Sequence, residues 1–270
     1  MTNVLVTGAT DGLGKALAAE LAGAGATVLL HGRDEERGER TLAELRARTG
    51  SETLRWYRAD LASLAEVRSL AEQVAADHER LDVLVNNAGI GSTAPGDGHR
   101  VESQDGHELR FAVNYLAPFL LTRLLQPLLT GSAPARVVNV SSAGQAPIDF
   151  DDVMLARGYD GVQAYCQSKL ALVMLTFDLA EELAETGVTA NCLHPGTYMP
   201  TKMVLAAGVT PQDSLETGVR ATTRLVMAPE LAKISGRYFN REAEARAHAQ
   251  AYDAEARRRL RTLSGRLTGS

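Results

Sequence analysis

Tyr165 and Lys169 stand four residues apart in the run Ala164-Tyr165-Cys166-Gln167-Ser168-Lys169-Leu170-Ala171, which reads as helix. Residues four apart share one helix face, so the phenol and the ammonium can point into one cleft. A free tyrosine titrates near pH ~10 and is poor acid–base equipment at neutrality. A neighbouring cation stabilises the phenolate and lowers that pKa, each unit being worth ~1.4 kcal/mol. The pair therefore suits proton transfer to or from an oxygen of a bound molecule. Such pairs arise by chance on many helices, so the weight of this one depends on the elements that position it.

The chain opens on a short apolar, β-rich run, Asn3 to Val6. It enters Thr7-Gly8-Ala9-Thr10-Asp11-Gly12-Leu13-Gly14, and a helix-like run from Ala16 to Ala24 follows. Strand, tight glycine turn and helix form the context that a dinucleotide fingerprint requires. The spacing is G-x-x-x-G-x-G rather than the common G-x-G-x-x-G, and the physics is similar. Glycine lets the backbone approach a pyrophosphate, while the helix N-terminus offers free N–H groups and the positive end of its dipole. A plain strand-to-helix turn would also use glycines for positive φ, so this motif too gains from its company.

That company follows in order. Asp82 to Val85 is an apolar strand ending in Asn86-Asn87-Ala88-Gly89. Arg136 to Val140 is another, ending in Ser141-Ser142, and Val188 to Leu193 a third, ending in His194-Pro195-Gly196-Thr197. Asn114 follows Phe111-Ala112-Val113. In an open parallel sheet, ligands bind beyond the carboxyl ends of the strands. All of these groups except Asn114 and the Tyr165/Lys169 pair lie at such ends. Apolar strand runs alternate with helical runs along the chain. This predicts an α/β fold, a single doubly wound Rossmann domain over residues 1–270 with a mostly parallel sheet and helices on both faces.

These motifs are T-G-x-x-x-G-x-G at Thr7 to Gly14, N-N-A-G at Asn86 to Gly89, Asn114, Ser142, Y-x-x-x-K at Tyr165 and Lys169, and P-G at Pro195-Gly196. With them the chain resembles the short-chain dehydrogenase/reductase family over about residues 1–240. It is most similar to the retinol-dehydrogenase-like branch, on Asn114-Tyr115-Leu116-Ala117-Pro118-Phe119, on Ile148-Asp149-Phe150-Asp151-Asp152 and on the residues around Tyr165. The resemblance implies an NAD(P)-dependent oxidoreductase that moves a hydride between the nicotinamide and a carbonyl or alcohol. It implies Tyr165 as general acid in reduction and base in oxidation, and Ser142 as the hydrogen-bond partner of the substrate oxygen. Lys169 would hold the nicotinamide ribose and depress the Tyr165 pKa, and Asn114 would sustain a water relay to Lys169. The cofactor would lie along Gly8, Thr10, Asp11, Gly12, Leu13, Gly14, Arg33, Asp60, Leu61, Asn87, Ala88, Gly89, Tyr165, Lys169, Pro195, Gly196 and Thr197. A homo-oligomer is implied as well.

Ser142 and Tyr165 are 23 residues apart, more than is common in the family. The extra residues form an acidic, turn-rich segment, Pro147 to Gly161, read as a surface loop that need not disturb the elements it joins. The retinol-dehydrogenase-like branch carries a similar insert. Ser141 is the alternative substrate-facing serine. Strand alternation puts Ser141 and Ser142 on opposite faces, and the family pattern favours Ser142. Cofactor choice turns on the end of the second strand, Thr27-Val28-Leu29-Leu30-His31-Gly32-Arg33-Asp34. NAD enzymes place a carboxylate there for the ribose 2′-OH, and NADP enzymes a cation for the 2′-phosphate. The family's NAD-selecting acid would stand at Gly32, which has no side chain. Arg33 occupies the first loop position, and Asp34 reads as the cap of the helix Glu35 to Arg48. NADP(H) is therefore favoured over NAD(H), with Lys15 and Arg37 as further cations nearby. Asp60-Leu61 would meet the adenine by family analogy; Asp60 or Ser63 could instead cap the following helix.

The net charge of −5 argues against a nucleic-acid or anionic-membrane surface. Glu242 to Arg261 reads as a charged C-terminal helix (about 242–262), with Arg257-Arg258-Arg259-Leu260-Arg261 solvated near its C-terminal end, where the dipole favours cations. Cys166 and Cys192 lack metal spacing, and the six histidines form no cluster. Asp149, Asp151 and Asp152 lack the glycine and bidentate glutamate of a calcium loop. No metal is expected, and a reduced, cytoplasmic setting fits. Cys166 is read as packing away from Tyr165. No 18-residue apolar run or signal peptide appears, and the first strand begins almost at Met1, so no membrane anchor is expected. Gly91 to Gly106 and the tail after Leu263 read as flexible.

In the family, Thr197 to about Pro229 would close over nicotinamide and substrate as a lid. Met199, Met203, Val204, Leu205 and Val209 give it an adaptable apolar face, or simply pack it onto the body. The expected substrate is an apolar or bulky alcohol or carbonyl. Two other classes remain in view. A dinucleotide-sensing binding protein would bind tightly without turnover across a broad panel, and the intact Tyr165/Lys169 set argues against it. A lyase or epimerase would show no net change in cofactor redox state.

Overall fold

Strands apolar at every position need cover on both faces. Val4-Leu5-Val6, Val28-Leu29-Leu30 and Val83-Leu84-Val85 are all buried, and successive side chains point to opposite faces. In the computed structural model, which describes residues 2–93, 96 and 99–270, they lie side by side in one sheet. Its strands are β1 (Asn3–Val6), β2 (Thr27–Gly32), β3 (Arg55–Arg58), β4 (Val83–Asn86), β5 (Ala135–Val140), β6 (Val188–His194), β7 (Arg237–Asn240) and β8 (Ala243–Ala245). Their order is β3-β2-β1-β4-β5-β6-β7-β8. β1 to β7 are parallel and β8 is antiparallel to β7.

Helices α1 (Gly12–Gly23), α2 (Glu35–Thr49) and α8 (Leu215–Met227) cover one face. There Leu17, Leu45 and Leu225 share a core with Val4, Val6, Leu30 and Val85. The other face carries α3 (Leu64–Asp77), α4 (Leu109–Phe111), a π-helical turn (Ala112–Leu116), α5 (Ala117–Gly131), α6 (Gly161–Glu182) and α9 (Ala254–Thr268). Leu5, Leu29 and Leu84 meet Leu70, Leu116, Leu170 and Leu260 there. A short α7 (Lys202–Ala206) buries none of its residues. This is the doubly wound α/β architecture expected. Strand order reverses between β1 and β4, and that switch point opens a crevice beyond the carboxyl ends.

Local caps set the helix starts. Asp34 accepts from Arg37 N at the head of α2, and Ser63 accepts from Glu66 N at the head of α3. Asp60 Oδ1 instead accepts from Ala62 N in the turn before it. Among the described residues no helix is long and apolar enough to cross a membrane.

The C-terminal region departs from the expected helix over about 242–262. Ala243–Ala245 pairs backbone to backbone with β7, a short 3-10 turn (Ala249–Tyr252) follows, and Asp253 caps α9 by accepting from Glu255 N and Ala256 N. The arginine run therefore sits in the first turns of the helix, not near its C-terminus; Arg258 and Arg259 are exposed as expected, while Arg257 and Arg261 are engaged. Arg257 pairs with Asp178 at 3.4 Å and Glu181 at 2.6 Å, and Arg261 with Asp178 at 3.1 Å and Glu182 at 3.4 Å, tying α9 to α6. Under this cover Gln167 through Leu179 are buried without a break, as in a helix enclosed on all sides. The tail after Leu263 is helical to Thr268, and Tyr115 Oη lies 2.7 Å from Ser264 Oγ. Of the segment 91–106, residues 94, 95, 97 and 98 lie outside the described residues. The insert is more than a surface loop, since Ile148, Val153 and Leu155 are buried.

Candidate active site

Asp11 caps α1 by accepting from Gly12 N, so the helix begins at Gly12 rather than Ala16. A Cβ at Gly14 would lie 2.2 Å from Gly8 O and 2.5 Å from Asn87 Nδ2. The turn is stapled to the end of β4. The Thr7 hydroxyl accepts from Asn87 N (2.9 Å) and Ala88 N (3.0 Å), while Asn87 Nδ2 donates to Thr7 O (2.8 Å) and Gly8 O (3.3 Å). The Asn87 side chain thus builds the wall of the crevice.

His31 lies buried against this turn. Its Nδ1 accepts from Gly8 N at 3.3 Å and its Nε2 meets Ala59 O at 3.1 Å. These partners require the neutral tautomer with the proton on Nε2. Burial lowers the His31 pKa from 6.5 to about 4, and burial does the same to His194. Both histidines bind protons more readily in the unfolded chain. Their contribution to stability is complete above pH 6.5 and is lost as pH falls toward 4. The urea midpoint should therefore be lower at pH 5 than at pH 7. His31→Gln should flatten that difference.

Asp160 caps α6 by accepting from Gln163 N, fixing the start of the helix that carries Tyr165 and Lys169. The Ser142 hydroxyl and the Tyr165 ring border one space, lying 3.5 Å (Oγ) and 3.8 Å (Cε1) from a Cβ built on Gly144. Ser141 points the other way and donates to Lys169 O at 2.8 Å, so geometry places Ser142 with the phenol. Lys169 Nζ donates to Val140 O at 2.9 Å and lies 5.8 Å from the Tyr165 ring centroid. Asn114, in the π-helical turn, accepts from Ile90 N (2.8 Å) and donates to Ile90 O (3.1 Å) and Ser168 Oγ (3.0 Å). A Cβ on Gly89 would be 3.2 Å from Asn114 Oδ1 and 3.4 Å from Lys169 Nζ. Asn114, Ser142, Tyr165 and Lys169 therefore converge on one place.

Two expectations change here. Tyr165 was expected to have a lowered pKa; burial raises it instead, against a smaller lowering by the Ser142 side chain beside it. Burial of Lys169 lowers its own pKa to about 8, and its ammonium is spent on a carbonyl. Cys166 does not pack away from the site. A Cβ on Gly144 would lie 3.3 Å from Cys166 Sγ, 3.5 Å from Ser142 Oγ and 3.8 Å from Tyr165 Cε1, so the thiol borders the two hydroxyls.

Beyond the end of β6, Thr197 is already engaged. Its N–H donates to Asp213 Oδ2 at 2.6 Å, Arg241 clamps the same carboxylate at 2.5 Å, and His194 Nε2 lies 3.1 Å from its hydroxyl. Met199 is buried against Gly218 and Gly196. Thr201 is the residue that leans on the glycine turn, its methyl 3.1 Å from a Cβ built on Gly12, and Lys202 Nζ sits 3.1 Å from Asp11 Oδ2. α8 belongs to the body, with Leu225 and Val226 in the core, so residues 215–227 of the segment expected to form a lid are part of the cover of the sheet. On the opposite side Arg33 is exposed just past β2, and Arg37 Nη2 is 3.4 Å from Asp11 Oδ2. Leu61 and the Pro195-Gly196 pair are buried. A groove of about 950 Å³ between α1 and α8 contains none of these residues. Reading the sequence alone passed over His31, Asp213, Arg241 and Lys202, which carry no local signal, and Thr7, whose place in the glycine motif is one.

The family model for short chain dehydrogenases matches residues 2–210. The chain belongs to this family. Mouse retinol dehydrogenase 13 is 40% identical over 283 residues, spanning 98% of this chain and 83% of that protein. Mouse polyprenol dehydrogenase is 38% identical over 285 residues, 98% of this chain and 83% of that protein. Among solved structures, a Pseudomonas aeruginosa RhlG/NADP active-site complex shares 31% identity at a TM-score of 0.72, covering 88% of this chain and 94% of that one. A short-chain dehydrogenase from Escherichia coli CFT073 complexed with NADPH shares 28% identity at a TM-score of 0.72, covering 89% and 96%. The protein is a short-chain dehydrogenase of the retinol-dehydrogenase-like branch, an oxidoreductase of CH–OH and C=O groups that uses a nicotinamide dinucleotide. The side-chain-free cradle of Gly8, Gly12 and Gly14 at the N-terminus of α1 fits such a pyrophosphate.

Proposed function

We propose that this short-chain dehydrogenase moves a hydride between NADP(H) and an apolar or bulky alcohol or carbonyl, with Tyr165 as general acid in reduction and general base in oxidation. The observation that carries the reading is the convergence of the Ser142 hydroxyl and the Tyr165 ring on one space at Gly144, with the buried Lys169 Nζ 5.8 Å from that ring. A dinucleotide bound along the glycine turn supplies or accepts the hydride. Ser142 orients the substrate oxygen, and Tyr165 gives that oxygen a proton or takes one as charge develops there. With its pKa raised, Tyr165 is protonated at neutrality and stands ready as an acid. Lys169 keeps positive charge near the phenol, which eases formation of phenolate. Asn114 holds Ile90 and Ser168 and so aligns the β4 loop with α6. Met203 and Leu205, exposed on α7, support a lid that adapts to apolar molecules. Oxidation of NADPH by decanal and longer aldehydes, with short aldehydes poor, is the result that tests the substrate class.

The preference for NADP(H) draws support from position 32. A Cβ there would stand 2.9 Å from both Thr10 Cγ2 and Trp56 Cη2, so the acid that selects NAD has no room. Arg33 is exposed immediately beyond. A charged hydrogen bond is worth about 1.5–3 kcal/mol. Arg33→Ala should therefore weaken NADPH about tenfold to hundredfold and leave NADH almost unchanged, as read by fluorescence titration. Equal loss for both nucleotides would overturn the assignment. The homo-oligomer belongs to the same proposal. Because α9 covers the outer side of α6, its contacts would use other faces; sedimentation of a monomer alone at micromolar concentration removes it. Both cysteines are free, which suits a reducing, cytoplasmic setting.

A further inference from the structure

Glu108 and Arg110 have side chains only 1% exposed, and neither enters the chemistry above. Arg110 extends from α4, four residues before Asn114. Its Nε donates to Gly91 O at 2.7 Å, its Nη2 to Ser92 O at 2.9 Å and its Nη1 to the Tyr159 hydroxyl at 2.5 Å. Tyr159, within the insert, donates in turn to Glu108 Oε1 at 3.0 Å. The other oxygen of Glu108 accepts from Phe111 N at 2.7 Å and caps α4. Arg110 Nη1 and Glu108 Oε1 are 3.6 Å apart.

Enclosing a charge pair is costly, and a hydrophobic replacement is often as stable. What the pair holds is therefore informative. It holds the backbone of Gly91 and Ser92, the residues directly after Ile90, which Asn114 grips by both its N–H and its carbonyl. On the far side of this backbone is Gly161, the first residue of α6. A Cβ there would be 2.3 Å from Ser92 O and 3.6 Å from Arg110 Nη2. Gly91 lies against the lid, where a Cβ would be 2.7 Å from Met203 Cγ. The Ser92 carbonyl is thus caught between the guanidinium and the opening turn of the helix that presents Tyr165 four residues later.

We infer that Arg110 is a positioning residue: with Glu108 and Tyr159 it clamps residues 91–92 between the lid and the first turn of α6, and so fixes where Tyr165 presents its hydroxyl. The inference rests on Tyr165 as the acid–base group. It also gives the insert a task. The added residues between Ser142 and Tyr165 deliver Tyr159, which closes the bond between the buried acid and base.

The test uses the full chain and two variants. Tyr159→Phe keeps the ring and removes the hydroxyl shared by Arg110 and Glu108. Arg110→Lys keeps the charge and loses the planar fork. Amide hydrogen exchange is followed over residues 89–93, with β1 and β5 as internal references, and NADPH binding and decanal reduction are measured well below each Tm. A misplacement near 1 Å costs on the order of 10²-fold in rate. Both variants should exchange faster at 89–93 with the references unchanged, and kcat should fall by about tenfold or more while NADPH affinity is retained. Unchanged exchange at 89–93 overturns the clamp. Faster exchange everywhere with kcat unchanged also overturns it, because Arg110 would then only stabilise the fold. A wild type that reduces no carbonyl, while the variants show the local exchange change, refutes the redox reading and upholds the clamp.

Discussion

Tyr165→Phe is expected to lower turnover by about 10²–10⁴-fold, the usual contribution of a positioned acid or base, while NADPH binding survives. The substitution removes one oxygen and keeps the ring in place. Ser142 Oγ still accepts from Gly144 N at 3.0 Å, and Lys169 still holds Val140 O, so the surrounding site retains its anchors. Loss of rate with retained affinity would mark Tyr165 as a group acting on the reacting oxygen. Its raised pKa also sets the direction of the pH response. A phenol protonated through neutrality serves reduction there, whereas oxidation needs the deprotonated form and should accelerate as pH rises. Both are read from NADPH absorbance with a carbonyl and from NADP⁺ reduction with its alcohol. Full activity in the phenylalanine variant would remove Tyr165 from the mechanism.

Gly14→Ala is expected to abolish NADPH binding and to destabilise the fold. The new Cβ would meet Gly8 O at 2.2 Å and the Asn87 side chain at 2.5 Å, and Asn87 is itself tied to Thr7 O. The collision with Gly8 is against backbone, so no rotamer relieves it and the turn must open. Overpacking of this kind costs about 1–3 kcal/mol, and in a domain of this size each kcal/mol lowers Tm by about 2–4 °C. Gly23→Ala is the matched control. Nothing lies within 4 Å of a Cβ there, and alanine is the better helix former by about 1 kcal/mol. A thermal melt with fluorescence titration separates the two. Unchanged NADPH affinity in Gly14→Ala would mean that this turn is not where the dinucleotide lies.

Much of this was legible in the chain because the signals are local. Unbroken apolar runs announced buried parallel strands, Asp34 and Ser63 announced helix starts, and the glycine spacing announced the turn. Where local signal was ambiguous, distant pairing decided. Ala243 to Ala245 has the charge and alanine content of a helix, yet hydrogen bonds to β7 make it a strand. The arginines after it look like a solvated helix end, and Asp178, Glu181 and Glu182 of α6 turn two of them, Arg257 and Arg261, into a docking face.

By itself the sequence determined the alternation of strands and helices, the glycine cradle and the Tyr165–Lys169 pairing. Each depends on residues within a turn or two of one another, where helix geometry and the permissiveness of glycine are enough. The tertiary structure alone decided that Cys166 borders the site. It alone decided that Tyr165 is pushed up rather than down, and that Arg110 grips the loop after β4. Those outcomes rest on desolvation and on partners brought together across the fold, and neither is written in spacing along the chain.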